Sequence, residues 1–384
     1  MTNVRRMMMA AAAGAGGETA YRLYSWGYRA RRPSPPTFGS GPLRLAAEPG
    51  NWTKVSSTET GGFAITDSGE LFGWGYGAAG RGGWGNTTNY NGQTDTTYKQ
   101  IGALTTWADV GGAGYSSAAI KTDGTLWTWG EGGLGELGTG STTDVSSPVQ
   151  VGSLTNWSKV SQCPARNEAL GAVKTDGTLW TWGSGGYGRL GHGNTTNISS
   201  PAQVGALTDW SQITGGENGW MTALKTDGTL WSWGNNRFGN LGHGTSSSSG
   251  RVCSPVQIGS LTTWAFVGGG GNMCGAVKTD GTLWTWGYNH VGQLGLGDTT
   301  NICSPVQVGS LTNWAEVRGG YNWMMGLKTD NTLWGWGRSG YNAVNGTGTG
   351  SGANLANLSS PVQIGSDTDW RVLAPADALK GEEL

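Results

Sequence analysis

Residues 157–204 read WSKVSQCPARNEALGAVKTDGTLWTWGSGGYGRLGHGNTTNISSPAQV, and the fold is decided by this stretch. Four short runs, 157–160, 169–174, 178–182 and 201–204, have strand length and mix apolar with small polar residues. None carries the 3.6-residue apolar period of an amphipathic helix. Asp176-Gly177 separates the second run from the third, and Asp-Gly between alternating runs signals a tight hairpin. Side chains alternate across a strand, so Trp180 and Trp182 share one face. The stretch is therefore a four-stranded antiparallel unit with an indole-rich face.

The unit repeats along the chain. An aromatic-x-Trp-Gly motif places Trp26, Trp74, Trp129, Trp182, Trp233, Trp286 and Trp336 at spacings of 48 to 55 residues. A second series, Trp52, Trp107, Trp157, Trp210, Trp264, Trp314 and Trp370, opens each unit. Trp127, Trp180, Trp231, Trp284 and Trp334 fill the aromatic slot, so 19 of the 22 tryptophans occupy repeat positions and Trp84, Trp220 and Trp323 stand outside them. The hairpin recurs at Asp123, Asp227, Asp280 and Asp330, the last followed by Asn331, which also tolerates positive φ. Seven four-stranded units of this size predict an all-β, seven-bladed β-propeller with very low helix content.

Composition agrees with a repeat protein. The 384 residues include 72 glycines, only 13% are charged, and the net charge is −1. Collagen is excluded because Pro is only 12 and Gly has no three-residue period. Bulk-charge nucleic-acid binding is disfavoured at pI 6.3. No apolar run reaches the length of a membrane-spanning helix, so no membrane insertion is expected. Cys163, Cys253, Cys274 and Cys303 are too scattered for a disulfide framework and are expected as free thiols.

The ends of the chain predict how the ring closes. Asp377-Ala-Leu-Lys380 matches Thr222-Ala-Leu-Lys225, a second strand, and residues 21–27 supply a third strand with Trp26 in register. The seventh blade is thus expected to combine strands from both termini. Domain organisation follows: residues 1–19 as an amino-terminal docking arm, and 20–384 as the propeller. Blades start near 52, 107, 157, 210, 264 and 314, with the last formed by 370 onward plus 20–51. Arg5 and Arg6 before the run Met7 to Ala13 have the order of a signal peptide, but the run is short and weakly apolar, so an arm is the preferred reading.

The Leu-Trp-x-Trp-Gly strand, the Gly-x-Leu-Gly-x-Gly loop at 135–140, 188–193, 239–244 and 292–297, and the Ser-Pro-Val-Gln strand resemble the regulator of chromosome condensation repeat family. The resemblance covers essentially residues 20–384. It implies a propeller that binds proteins through loops on one face, as exchange factors and β-lactamase inhibitor proteins of the family do. It carries over no functional residue, because the matched positions are structural ones.

Catalytic and cofactor chemistry finds little footing. Gly75 to Gly80, Gly130 to Gly135 and Gly183 to Gly188 fit G-x-G-x-x-G, but each follows a strand without opening a helix, so they are repeat loops and no cofactor is expected. His192 and His243 share a slot that holds Thr139 and Leu296 elsewhere, which is no metal or base position, and His290 is alone. With no nucleophile–base pair the chain is read as non-enzymatic, without a small-molecule substrate.

Candidate binding residues are those that break the repeat. Trp220, Met273 and Trp323 lie five residues before a Lys in consecutive units, with Tyr321 beside the last. They are read as an apolar partner patch, the alternative being packing between blades. Seven arginines against two glutamates in the first 50 residues, including Arg5, Arg6, Arg29, Arg31 and Arg32, are read as a basic surface for an acidic partner. Loops 76–97 and 338–360 are enlarged. The low charge, the arm and the near-identical, phage-like repeats lead to a first reading as a virion component, a capsid decoration or tail or fibre module. Its partners would be other virion proteins or a host surface component. The alternative is a soluble regulatory or inhibitory protein-binding propeller in the bacterial cytoplasm or secreted.

Overall fold

The computed structural model describes residues 19–25, 43–44, 51–58, 61–75, 77–86, 98–163, 168–247, 250–338, 357–374 and 377–383. Among them the regular elements are all strands, apart from short 3₁₀ turns such as Gly186–Gly188. In the unit that opens at Trp157 the strands are Trp157–Val160, Ala169–Lys174, Leu179–Gly183 and Ile198–Gln203, within three residues of the runs read from sequence. The order in that sheet is sequential and every pair is antiparallel.

The sheet count corrects the sequence expectation. Hydrogen bonding divides the strands of the propeller into six sheets, five of four strands and one of nine, where seven separate four-stranded blades were expected. The cause is the two-residue strand Gln162–Cys163, which runs parallel to both Trp107–Ala113 and Trp210–Gly216. Gln162 pairs with Gly112 on one side and Thr214 on the other, fusing two sequential four-strand sets into one sheet. Such pairing needs backbones in close approach, and a Cβ on Gly111 would strike the Ser161 carbonyl. One of the four-stranded sheets contains both ends of the chain, in the order Leu43–Arg44, Thr19–Ser25, Asp377–Glu383, Trp370–Ala374. Tyr21 pairs with Gly381 and Leu23 with Leu379. Trp26 lies outside the described residues.

The indoles form the core. Trp157 meets Trp180 and Trp182 edge-on, with ring centroids 6.0 and 6.3 Å apart, the geometry that aromatic quadrupoles favour. Lys174 lays its ammonium 3.7 Å from the Trp180 centroid. Each Asp turn is tied into the same strand. The Asp176 carboxylate accepts from the Thr178 N–H (2.9 Å) and hydroxyl (2.7 Å), and the Trp180 indole donates to that hydroxyl at 2.8 Å. The arrangement recurs at Asp123, Asp227, Asp280 and Asp330.

Adjacent units are latched by the second indole of the motif. Trp129, Trp182, Trp233 and Trp286 donate to the carbonyls of Arg81, Glu136, Arg189 and Asn240, each in the loop of the preceding unit. The loop fits because Gly191, at φ 80°, lies flat against Trp233, where a Cβ would come within 3.0 Å of the indole nitrogen. Cys253 and Cys303 are explained the same way: they pack on Gly188 and Gly239 of the preceding loop. All four cysteines are free thiols, and burial pushes the Cys274 thiol up.

Two outcomes follow for stability. Trp233→Phe removes a buried indole N–H and leaves the Arg189 carbonyl unpaired, and chemical denaturation should register a loss of about 2–4 kcal/mol. An unchanged midpoint would mean the latch is not made. The Thr hydroxyl and Thr N–H hold Asp123, Asp176 and Asp280 below the ordinary carboxyl value. Their stabilisation is complete above the unfolded value of about 3.9 and is lost as pH falls through the lower folded value. Asp176→Asn combined with Asp280→Asn keeps an acceptor without the charge, so urea titrations at pH 7 and below pH 4 should show a shallower acid loss than wild type.

Candidate partner-binding face

Strand direction sorts the connections onto two faces. The hairpins carrying the Asp turns and the turns carrying Leu104, Leu154, Leu207, Leu261 and Leu311 lie at one end of the sheets. The loops between strands one and two and between strands three and four lie at the other, and backbone bonds join them there. Glu131, Ser184, Asn235, Tyr288 and Arg338 each donate an N–H to the carbonyl of Tyr115, Glu168, Gly219, Asn272 and Asn322 respectively. This second face carries the residues that depart from the repeat.

The face is knit by charge near its early units. Arg81 pairs with Glu131 and stacks 3.6 Å over the Tyr115 ring. Arg189 is buried, pairs with Glu168 at 3.5 Å and donates through Nε to the Gly186 carbonyl. Burial pushes the neighbouring Glu136 carboxyl up, although its oxygen accepts from the Leu134 N–H at 2.7 Å. Tyr187 is 51% exposed and holds φ at 60°, a left-handed backbone that is costly for a bulky residue. Strain of this kind concentrates where a side chain is presented for use.

The predicted apolar patch divides. Trp220 and Met273 are fully buried, and Trp323 nearly so. Trp220 donates to the Gly271 carbonyl of the next unit at 3.0 Å, so its indole packs between units, the alternative weighed for this slot. Tyr321 is different: it is 54% exposed on the loop face. Arg5, Arg6, Arg29, Arg31 and Arg32 lie outside the described residues, as does the amino-terminal arm. So does most of the two enlarged loops, 87–97 and 339–356.

His192 and His243 each place Nε2 3.0 Å from a strand hydroxyl, Thr181 or Ser232, and burial holds both below the usual imidazole range. Among the described residues no group of three or more His, Cys, Asp or Glu side chains is placed to hold a metal ion. Among the described residues no helix is long and apolar enough to cross a membrane. Sequence reading passed over Arg237, Phe238, Tyr288 and Arg338, which cluster on this face with His290. Their signal was present, because three of the equivalent loop slots elsewhere hold Gly or Ser (Gly133, Gly186 and Ser184).

With the fold and face in place, the class is clear: an all-β propeller of short repeats. Residues 123–163, 176–221, 227–277 and 280–327 match the model of the Regulator of chromosome condensation (RCC1) repeat. The ultraviolet-B receptor UVR8 of Arabidopsis thaliana is 33% identical over 192 residues, 50% of this chain and 43% of UVR8. The E3 ubiquitin-protein ligase HERC2 of Homo sapiens is 33% identical over 242 residues, 61% of this chain but 5% of HERC2. The chain thus spans less than half the length of these relatives. In fold, Prp20p from Saccharomyces cerevisiae superposes with a TM-score of 0.77 at 16% identity, over 97% of this chain and 93% of that one. Human WBSCR16 gives 0.77 at 17%, over 95% and 99%.

The strained tyrosine offers a separation of stability from binding. Tyr187→Gly should raise the thermal midpoint, by up to about 1 kcal/mol of stability, because glycine takes the left-handed backbone without penalty. A fall in the midpoint would show that the exposed ring contributes packing instead.

Proposed function

We propose that the chain is a non-enzymatic regulatory scaffold that binds a protein partner through its loop face. The observation that carries this is the segregation of sequence. Core slots repeat from unit to unit, while Tyr187, Tyr321 and the charged loop residues break the pattern at one end of the ring. A rigid ring with variable loops at one end is a recognition surface.

The relatives favour the soluble regulatory reading over the virion component. A structure of Prp20p is described with its binding to Gsp1p and histones, and another with Kap60 bound to it. A protein partner is accordingly what this face would take. Nothing in the relatives or the fold supports a capsid or tail role or a phage-like origin.

The test uses the whole chain as immobilised bait in a lysate of its native source. Three baits are compared: wild type, Tyr187→Ala with Tyr321→Ala, and Leu154→Ala with Leu207→Ala on the opposite face. The reading expects one protein enriched at a fixed ratio, lost with the tyrosine variant and kept with the leucine variant. Loss with the leucine variant alone would contradict it.

A further inference from the structure

Three consecutive units, opening at Trp210, Trp264 and Trp314, place an unusual row of side chains on the loop face. Phe238 and Tyr288 lie with ring centroids 4.3 Å apart, and Tyr288 stacks on His290 at 4.4 Å and 23°. The Arg237 guanidinium sits 5.2 Å from the Phe238 centroid at one end. Arg338 stands at the other end, close enough that its charge, after burial, holds His290 below the usual imidazole range. His290 is fixed from beneath by Gln293, whose Nε2 is 3.2 Å from Nδ1. The row thus runs Arg237, Phe238, Tyr288, His290, Arg338 across adjacent loops.

Its composition is specific to these units. The Tyr288 and Arg338 slot is Ser184 in the unit opening at Trp157, and the Arg237 and His290 slot is Gly133 or Gly186 in earlier units. Arg237, His290 and Arg338 are exposed, while Phe238 and Tyr288 are half-buried. Among the described residues neither guanidinium pairs with a carboxylate, in contrast to Arg81 and Arg189 on the same face. The two arginines therefore stand exposed beside a stacked aromatic row.

We infer that this row is a docking strip for an acidic, extended peptide segment of the partner. An extended chain spans adjacent loops, and carboxylates spaced along it meet Arg237 and Arg338 in charge-assisted pairs, with the aromatic row packing its backbone and apolar side chains. A single-stranded nucleic acid fits less well. Base stacking needs free ring faces, and Tyr288 at the centre of the row already packs against Phe238 and His290. The inference rests on the loop-face reading above and names the chemistry of what that face takes.

The test measures fluorescence anisotropy of labelled dodecaglutamate, dodecalysine and a twelve-nucleotide oligothymidine with the full chain. The expected result is saturable binding of dodecaglutamate, none of dodecalysine, and affinity that falls as salt rises. Arg237→Glu combined with Arg338→Glu should weaken it at least about tenfold. The milder Arg237→Gln with Arg338→Gln should weaken it about threefold or more, with an unchanged thermal midpoint showing that the fold is intact. Dodecaglutamate binding that is absent, or equal in wild type and both double variants, overturns the inference. So does oligothymidine binding more tightly than the peptide and lost in the same variants, which would assign the strip to nucleic acid. If the peptide fails while bait capture still depends on Tyr187 and Tyr321, only the acidic-segment assignment falls and the loop-face reading stands.

Discussion

The structure depends on one repeated contact, the indole of four x-Trp-Gly strands (Trp129, Trp182, Trp233 and Trp286) donating into the loop of the unit before. Trp182, Trp233 and Trp286 are fully buried, and each spends its only polar atom on a neighbour's carbonyl. A four-stranded sheet cannot bury its face alone, and the hydrophobic clusters accordingly straddle unit boundaries. Val173, Leu190 and Val204 of one unit pack with Trp210, Met221 and Trp233 of the next. The latch also explains the loop sequence. Gly-x-Leu-Gly-x-Gly sends one glycine against the indole and another against the outer strand of the following unit. The loop is therefore a structural joint on its inner side. Outward-pointing positions, such as Tyr187, Arg237 and His290, differ from unit to unit.

That division explains how much of the molecule was legible in the sequence. Strands, Asp turns and the pairing of the two chain ends are set by local alternation or by direct similarity of short segments, and these could be read from residues such as Asp176-Gly177 and Asp377-Ala-Leu-Lys380. The fusion that reduces the sheets to six could not be read so easily, because it is a long-range parallel pairing through two residues. Its trace is nonetheless present. Gln162 stands where four other units have Gly112, Gly215, Gly269 and Gly319.

The candidate site was legible only in part, for a physical reason. A large residue between strands one and two can turn outward or wedge between units, and sequence does not distinguish the two. Trp220 wedges inward because the Gly271 carbonyl offers its indole a partner, whereas Tyr321, two units on, remains at the surface. The aromatic row was missed because only His290 was weighed, and without its neighbours. His290 alone is an ordinary loop histidine. Beside Tyr288, and between two arginines supplied by neighbouring units, it becomes part of a surface with a direction and a charge.

The central claim is that the latched ring leaves one face for recognition. Amide hydrogen exchange of the free chain and of its partner complex tests this most directly. Protection on binding should appear in 184–189, 235–239, 288–293 and 320–323, and the hairpins at Asp176, Asp227 and Asp280 should exchange as they do in the free chain. Protection confined to those hairpins and the adjoining Leu154 and Leu207 turns would place the partner on the opposite face and contradict the account.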